Sequence, residues 1–140
     1  MKKKIIILGS TGSIGKTLLK IIEKDKKNFD VVLLSGNKNY KDLYKQAKKF
    51  NVKNLIINNK KSYNILKNKF KKSNVNVYNN YDNLNKICKN KVDYTMCSII
   101  GLEGLLPTIK LIKFTKKIAI ANKESIICGW NLILKELKKK

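Results

Sequence analysis

The sequence contains no histidine and no arginine, and few acidic residues. Without histidine, neither imidazole acid–base catalysis nor histidine ligation of a metal is available. The nine Asp and Glu residues form no close cluster, whereas divalent cations such as Mg²⁺ require several oxygen ligands. We therefore predict no metal site and no catalytic residue set within these 140 residues.

All 32 basic residues are lysine, and they give a formal net charge of +23. Such an excess usually suggests a nucleic acid or an anionic membrane as a partner. Here the lysines are spread along the whole chain among Asn and Ile, and arginine, the preferred reader of bases and phosphates, is absent. This pattern is typical of solvated surfaces, so we expect no specific nucleic-acid partner.

Cysteines and long apolar runs are also scarce. The three cysteines are odd in number and show no C-x-x-C spacing, so they imply neither a disulfide framework nor a zinc site and fit a reducing compartment. The opening Met1-Lys2-Lys3-Lys4 resembles the start of a signal peptide, but the apolar run that follows ends at Gly9. No run approaches the roughly 18 residues of a membrane span. We expect no membrane partner.

The most informative segment lies near the amino terminus. Residues 5–8 form an unbroken apolar run, typical of a strand that is covered on both faces of a parallel sheet. Gly9, Gly12 and Gly15 follow at a spacing of three, and an amphipathic helix is predicted from residue 14 to about residue 25. A glycine turn that leads into a helix lets a phosphate approach the free N–H groups of the helix. The segment predicts a nucleotide site.

Two classes of nucleotide loop compete for this segment. A P-loop requires Gly, four residues and then Gly-Lys-Ser/Thr; Gly15-Lys16-Thr17 fits its end, but Ser10 occupies the position of its first glycine. A dinucleotide-binding loop normally reads G-x-G-x-x-G, and this one is G-x-x-G-x-x-G. The spacing favours a dinucleotide. A P-loop phosphotransferase and a turn that only packs helix against strand stay open as alternatives.

The rest of the chain alternates between strand and helix patterns, without repeats or a long linker. Such alternation predicts a single α/β domain with a doubly wound parallel sheet, a Rossmann-like fold, because parallel neighbours need crossover helices. The predicted strands are 5–8, 30–35, 53–58, 75–78, 94–99 and 117–121, and the predicted helices are 14–25, 40–50, 60–72, 81–89, 101–114 and 125–138.

Ligands of such sheets bind at the carboxyl ends of the strands. The turns expected there are 9–14, 36–39, 58–60, 98–101 and 122–124. Within 36–39, an NAD site would place an acid that accepts from the ribose 2′-hydroxyl. This turn instead reads Gly36-Asn37-Lys38-Asn39, and an ammonium between amides attracts a 2′-phosphate. The turn therefore favours NADP over NAD.

The segment Asn122-Lys123-Glu124-Ser125 joins the last predicted strand to the last helix. Its amide, ammonium, carboxylate and hydroxyl could grip a polar, anionic ligand. Asn122 or Ser125 could equally cap the helix, with Glu124 in its favourable first turn. The residues alone leave both interpretations open.

Three segments together resemble one enzyme family: residues 7–15 (ILGSTGSIG), 101–108 (GLEGLLPT) and 121–125 (ANKES). In this order they are similar to the amino-terminal domain of 1-deoxy-D-xylulose 5-phosphate reductoisomerases, and the resemblance covers essentially the whole chain. It implies NADPH-dependent rearrangement and reduction of 1-deoxy-D-xylulose 5-phosphate to 2-C-methyl-D-erythritol 4-phosphate, a step of isoprenoid precursor synthesis.

The resemblance also implies roles for individual residues. The pyrophosphate loop of the family is matched by Thr11, Gly12, Ser13 and Ile14, and its 2′-phosphate turn by Gly36, Asn37, Lys38 and Asn39. The remaining cofactor contacts are matched by Asn122 and Glu124, while Lys123 matches a residue that faces the substrate.

In that family Mg²⁺ or Mn²⁺ is held by carboxylates beyond the matched region, and this sequence ends at Lys140. We therefore expect residues 1–140 to be an NADPH-binding domain without the family's catalytic and carboxy-terminal domains, and inactive alone. The resemblance further suggests a homodimer at full length and a bacterial cytoplasm, or an organelle after removal of a transit peptide. An NADP-binding sensor or another reductase is the remaining alternative.

Overall fold

The computed structural model describes residues 1–139, and its elements confirm the predicted alternation of strand and helix. A 3₁₀ turn at Leu102–Gly104 precedes the fifth helix. The elements in chain order are β1 (Lys3–Leu8), α1 (Ser13–Lys24), β2 (Phe29–Gly36), α2 (Tyr40–Phe50), β3 (Asn54–Ile57), α3 (Lys60–Lys69), β4 (Asn76–Tyr78), α4 (Leu84–Ile87), β5 (Val92–Cys97), α5 (Leu105–Ile112), β6 (Thr115–Ile120) and α6 (Lys123–Lys138).

The six strands form one sheet in the order β4-β3-β2-β1-β5-β6, and every neighbouring pair is parallel. From β1 the chain builds outwards to β4, then returns to the other side of β1 to add β5 and β6. The connections that leave β1 and β5 therefore diverge, which opens a crevice at the carboxyl ends of these strands. The doubly wound parallel sheet is confirmed.

The apolar run of β1 explains why the sheet is covered on both sides. Ile5 and Ile7 belong to one core cluster, which also includes buried side chains of α1, α2 and α3. Ile6 and Leu8 belong to a second cluster with side chains of α4 and α5. All four side chains are at most 4% exposed. Full burial of such a side chain stabilises the fold by about 1.5–3 kcal/mol.

Two helices begin later than predicted. The helix predicted at 101–114 could not begin at Gly101, whose backbone (φ 76°, ψ −172°) is far from helical; α5 starts at Leu105. The helix predicted at 81–89 is reduced to Leu84–Ile87. Its first predicted residue, Tyr81, instead lies in the preceding turn with its side chain buried.

The buried face of α6 consists mainly of small residues. The large side chain of Trp130 is 46% exposed. Ser125, Gly129 and Ile133 form the buried face instead. The cause is close helix packing: a Cβ on Gly129 would lie 2.1 Å from Leu105 Cδ1 of α5. None of the helices within residues 1–139 is long and apolar enough to cross a membrane.

We predict that Gly15→Ala destabilises the fold. A Cβ at this position would lie 2.5 Å from Ser10 Cα and 2.6 Å from Gly9 O, so α1 would have to move away from the end of β1. Overpacking of this kind costs about 1–3 kcal/mol in the free energy of unfolding, which urea denaturation measures. Gly12→Ala is the matched control, because its nearest neighbour would be Gly9 O at 3.4 Å. Equal stability of the two variants would contradict the prediction.

Candidate functional site

The glycine turn after β1 is fixed by contacts that only glycine permits. Gly9 adopts a left-handed backbone (φ 75°), and a Cβ there would lie 2.7 Å from Ser98 O at the end of β5. The N–H of Gly12 donates to Gly9 O at 3.1 Å and closes the turn. α1 then begins at Ser13, directly above the carboxyl end of β1.

The first N–H groups of α1 are free to bind a ligand. Within residues 1–139, the backbone N–H groups of Ser13, Ile14 and Gly15 have no acceptor, and Gly12 at the cap position has no side chain to supply one. The first turn contains no acidic residue. Unpaired N–H groups and the positive end of the helix dipole together favour an anion such as a phosphate.

Gly12 has no packing reason to be glycine. Its backbone is extended (φ −78°, ψ 174°), a conformation that any residue adopts. A Cβ would meet only Gly9 O, at about ordinary contact distance, 3.4 Å. Gly12 lines a cleft at the carboxyl edge of the sheet, so a side chain at this position has no packing partner beyond that oxygen. The glycine is therefore best explained by a ligand that approaches the backbone closely.

The predicted second turn lies against the first. A Cβ on Gly36 would lie 3.4 Å from both Cγ2 and Oγ1 of Thr11. Asn39 caps α2: its Oδ1 accepts from Asp42 N at 3.0 Å, and its Nδ2 donates to Asp42 Oδ2 at 2.9 Å. The Lys38 carbonyl accepts from Ser62 Oγ at 2.8 Å. The backbone of the turn is thus fixed.

The ammonium of Lys38 is the available cation of this turn. The side chains of Asn37 and Lys38 are exposed, and neither has a hydrogen-bond partner within residues 1–139. Since the turn contains no carboxylate, nothing in it repels an anion. It can therefore receive a second phosphate beside the first turn.

Lys16, which would contact the phosphates in a P-loop, forms an ion pair within the protein. Its Nζ lies 2.6 Å from Asp42 Oδ2 on α2. The hydrogen bond from Lys16 is the largest cause that lowers the pKa of the Asp42 carboxyl, and it outweighs partial desolvation. Both side chains are substantially exposed, so the pair contributes little to stability. The pairing is too weak to exclude a P-loop, which is disfavoured because Ser10 stands at the position of its first glycine.

The two turns line one cleft of about 640 Å³ at the carboxyl edge of the sheet. Thr11 and Gly12 contribute from the first turn, and Gly36 and Asn37 from the second. Two further predicted turns also reach it. Their lining residues are Asn58 after β3, and Ile99 and Ile100 after β5.

Tyr81 also lines the cleft, and sequence reasoning missed it. Its hydroxyl lies 3.1 Å from Ser35 Oγ, which in turn accepts from Gly9 N at 3.1 Å. Burial raises the pKa of Tyr81 to about 12. The sequence pattern could have indicated this residue. In a parallel sheet, the turn after β4 lies at the same edge as the turns after β1, β2, β3 and β5.

An apolar wall closes one side of the cleft and was also missed. Ile100, Leu102 and Leu106 are 83%, 59% and 60% exposed and all line the cleft. The buried face of α5 consists of Pro107, Thr108, Leu111 and Ile112, so Leu106 is left at the surface. Periodicity cannot distinguish a side chain that packs in the core from one that faces an open site. Apolar walls with a few polar groups are typical of small-molecule sites.

The third predicted segment lies at the same sheet edge but does not line this cleft. Asn122 precedes α6, yet its side chain does not cap the helix; Nδ2 donates to Gly101 O at 3.0 Å. Asn122 Oδ1 and Ser125 Oγ are buried without a partner in the described part of the chain. Lys123 is exposed, and Glu124 is partly buried. A buried acceptor without a partner costs about 1–3 kcal/mol, which a bound ligand or water would offset.

The acidic residues offer no metal centre at this edge. Among residues 1–139, no three His, Cys, Asp or Glu side chains are grouped so that they could hold a metal ion. Asp93 lies at the amino end of β5, where it accepts from Lys4 N at 2.9 Å and from Lys116 Nζ at 2.7 Å. It therefore lies at the opposite edge of the sheet from the cleft.

A parallel sheet with its strand order reversed beside β1, and a glycine turn with free N–H groups at that point, define a domain of the Rossmann nucleotide-binding class. The sequence profile of 1-deoxy-D-xylulose 5-phosphate reductoisomerases matches residues 5–129. The chain belongs to this family.

Related enzymes of the same name extend well beyond the matched region. The reductoisomerase of Pelagibacter ubique is 62% identical over 139 residues, which are 98% of this chain and 36% of that protein. The enzyme of Wolbachia pipientis from Culex pipiens is 41% identical, over 99% of this chain and 36% of its own length. This chain thus spans little more than a third of these relatives.

Solved structures of the family share the fold. The Zymomonas mobilis reductoisomerase in complex with NADPH superposes with a TM-score of 0.88 at 34% identity, over 99% of this chain and 37% of that one. A reductoisomerase in complex with NADPH, fosmidomycin and magnesium superposes with a TM-score of 0.87 at 28% identity, over 98% of this chain and 34% of that one.

We predict that Tyr81→Phe destabilises the chain in a pH-dependent way. At neutral pH the loss of the bond to Ser35 should cost roughly 0.5–1.5 kcal/mol. The pKa of Tyr81 is raised from 10.0 to about 12 by burial, so the unfolded wild type ionises first as the pH rises above 10. The free energy of unfolding of the wild type then falls, whereas that of the variant does not change through this group. The difference in stability between the two proteins should therefore shrink as the pH rises. Urea denaturation at neutral pH and above pH 10 measures it; a constant difference would contradict the assignment.

Proposed function

We propose that this chain is the NADPH-binding part of a 1-deoxy-D-xylulose 5-phosphate reductoisomerase. The observation that carries the proposal is that both turns contribute to one cleft, through Thr11 and Gly12 of the first and Gly36 and Asn37 of the second. The free N–H groups of residues 13–15 follow the first turn directly, and Lys38 is the exposed cation of the second, although neither group lines the cleft itself. A dinucleotide with an additional phosphate on one ribose has anionic groups that suit both turns. Solved structures of two reductoisomerases in complex with NADPH support the same cofactor for this chain.

The first turn suits the pyrophosphate. The free N–H groups of Ser13 and Ile14 are donors for its oxygens, while Thr11 and Gly12 line the cleft beside them. Gly12 keeps the approach clear, since its missing side chain leaves the backbone accessible. The helix dipole of α1 adds a favourable interaction with the negative charge.

The second turn suits the 2′-phosphate of the adenosine half. Lys38 supplies the ammonium, and the amide of Asn37 lies at the cleft beside Gly36. Asn39 holds the turn by capping α2, so its role is to position the turn as well as to border the ligand. NADH, which has a hydroxyl in place of this phosphate, gains little from the lysine.

The third segment is assigned to the other end of the cofactor and to the substrate. The unpartnered Oδ1 of Asn122 is a candidate acceptor for a cofactor group, and Glu124 is assigned as a second cofactor contact. Lys123, exposed at the start of α6, is assigned to an anionic phosphosugar substrate. When bound, NADPH supplies the hydride that reduces the rearranged substrate.

The remaining chemistry requires groups outside these 140 residues. The described acids do not fit a divalent metal, so the metal of the magnesium complexes must find its ligands elsewhere in such an enzyme. We propose that residues 1–140 form the cofactor domain and bind NADPH without turnover. For the longer protein we propose a homodimer in the cytoplasm, on the family likeness alone.

Saturation binding of NADPH, NADH and ATP to the purified chain tests the proposal. We expect NADPH to bind most tightly, NADH more weakly and ATP most weakly. Preference for ATP would overturn the reductase assignment in favour of a phosphotransferase. Equal affinity for NADPH and NADH would overturn the role of the second turn but leave a dinucleotide site.

Lys38→Ala should lower NADPH affinity by about 10- to 100-fold, because a charge-assisted bond to the 2′-phosphate is lost. NADH affinity should change little, since NADH lacks this phosphate. Lys20→Ala is the matched control: Lys20 is an exposed lysine on α1, so its removal lowers the overall charge equally. An equal loss in both variants would assign the effect to bulk charge and contradict the role of Lys38.

Gly12→Ala should abolish tight binding while the protein stays folded. The new methyl group would project towards the pyrophosphate, so both NADPH and NADH should bind at least roughly tenfold more weakly. The backbone of Gly12 tolerates alanine, and the free energy of unfolding should stay equal or rise by up to about 1 kcal/mol. Wild-type affinity in this variant would mean that the cofactor does not approach the turn.

A further inference from the structure

Ser10, the second residue of the glycine turn, faces away from the cleft. It is completely buried. Its hydroxyl donates to Gln46 Oε1 of α2 at 2.7 Å and lies 3.2 Å from Ser35 O. Neither Ser10 nor Gln46 lines the cleft. The pair therefore acts on the shape of the turn, and not on a ligand directly.

Gln46 holds Ser10 by two hydrogen bonds at once. Besides accepting from Ser10 Oγ, its amide donates from Nε2 to Ser10 O at 2.9 Å. The carbonyl of Ser10 can only accept, so Nε2 must face it, and the amide has a single orientation. The side chain of Gln46 is thereby locked between the backbone and the side chain of one residue.

The same helix begins at the second turn. α2 starts at Tyr40, next to its cap Asn39, and Gln46 lies within its second turn. A helix is a stiff element, so a residue fixed on it also fixes its amino-terminal end. The Lys16–Asp42 pair ties the start of α2 to α1 a second time, but this pair is exposed and weaker. Gln46 is thus a partly buried tie between the first turn and the helix that begins at the second, in addition to the bonds that Ser35 accepts from Gly9 and Ser10.

We propose that Gln46 is a positioning residue for cofactor selectivity: it sets the distance between the turn that binds the pyrophosphate and the turn that binds the 2′-phosphate. The inference rests on the proposed NADPH site and adds a residue that does not touch the cofactor. NADPH must contact both turns at once, whereas NADH depends mainly on the first. Loss of the tie therefore weakens NADPH more than NADH.

Gln46→Met tests this, because it keeps the length of the side chain and the helix propensity but removes both hydrogen bonds. NADPH affinity should fall about tenfold and NADH affinity less than about threefold, so that the ratio of the two affinities falls. Asn64→Met is the matched control, an exposed amide on α3 that does not contact either turn. It should leave both affinities and their ratio at wild-type values.

Ser10→Ala provides a second variant if Gln46→Met does not fold. It removes the hydroxyl and keeps the Nε2 bond to the Ser10 carbonyl, so the ratio should fall by less than in Gln46→Met. In the double variant the two effects should not add, because one of the lost bonds is shared. Full additivity would overturn the proposal.

The outcomes separate this inference from the proposed function. If wild type binds neither dinucleotide, the NADPH site itself fails. If wild type prefers NADPH and Gln46→Met keeps the same ratio, or loses NADPH and NADH equally, only the positioning role fails. An equal loss would mean that Gln46 stabilises the first turn alone.

Discussion

The hydrogen bonds that Ser35 accepts divide the N–H groups of the glycine turn into two sets. Its carbonyl accepts from Ser10 N at 2.8 Å, and its hydroxyl accepts from Gly9 N at 3.1 Å. The first N–H groups of the turn are thus used within the protein, which fixes the exit of β1 beside the exit of β2. Those of Ser13 and Ile14 remain without an acceptor in the described part of the chain.

This division explains how a rigid turn can also be a binding site. Buried backbone donors normally find a partner in the protein, so free ones must lie at a surface where a ligand or water can reach them. Here they follow the turn at the carboxyl edge of the sheet whose Thr11 side chain lies against Gly36 of the neighbouring turn. The fold therefore supplies the site through its topology, and the side chains add selectivity.

Much of the fold could be predicted from the sequence because apolar periodicity reports burial directly. The run at 5–8 required a strand covered on both faces, and both faces are covered. Where prediction failed, another interaction prevailed over periodicity. Tyr81 lies outside its predicted helix, because its ring is buried beside Ser35, to which its hydroxyl donates.

The candidate site was predictable where its chemistry lies in the backbone. Glycine spacing and strand ends predicted the turns at 9–14 and 36–39, which contribute Thr11, Gly12, Gly36 and Asn37 to the cleft. Six other predicted cofactor residues do not line it: Ser13, Ile14, Lys38, Asn39, Asn122 and Glu124. Contacts between side chains distant in sequence could not be predicted in this way. Ser10 and Gln46 are 36 residues apart, and no local pattern indicates that they meet.

The family comparison agrees with the expectation that this chain corresponds to one part of a longer enzyme. The chain spans 36% of the length of the Pelagibacter ubique relative, and residues 1–139 contain the cleft at the carboxyl edge of the sheet but no group of acids that could hold a metal ion. Under the proposed function, cofactor binding and turnover can therefore be measured separately. The edge of the sheet that carries the free N–H groups is where the two activities would meet in a longer protein.

The most direct test of this account is an amide NMR titration of the ¹⁵N-labelled chain with NADPH. The account predicts that the largest shifts occur at the free N–H groups of residues 13–15 and in the turn at residues 36–39. The N–H groups of Gly9 and Ser10, already bonded to Ser35, should shift less. Shifts confined to other surfaces, or none at saturating cofactor, would contradict it.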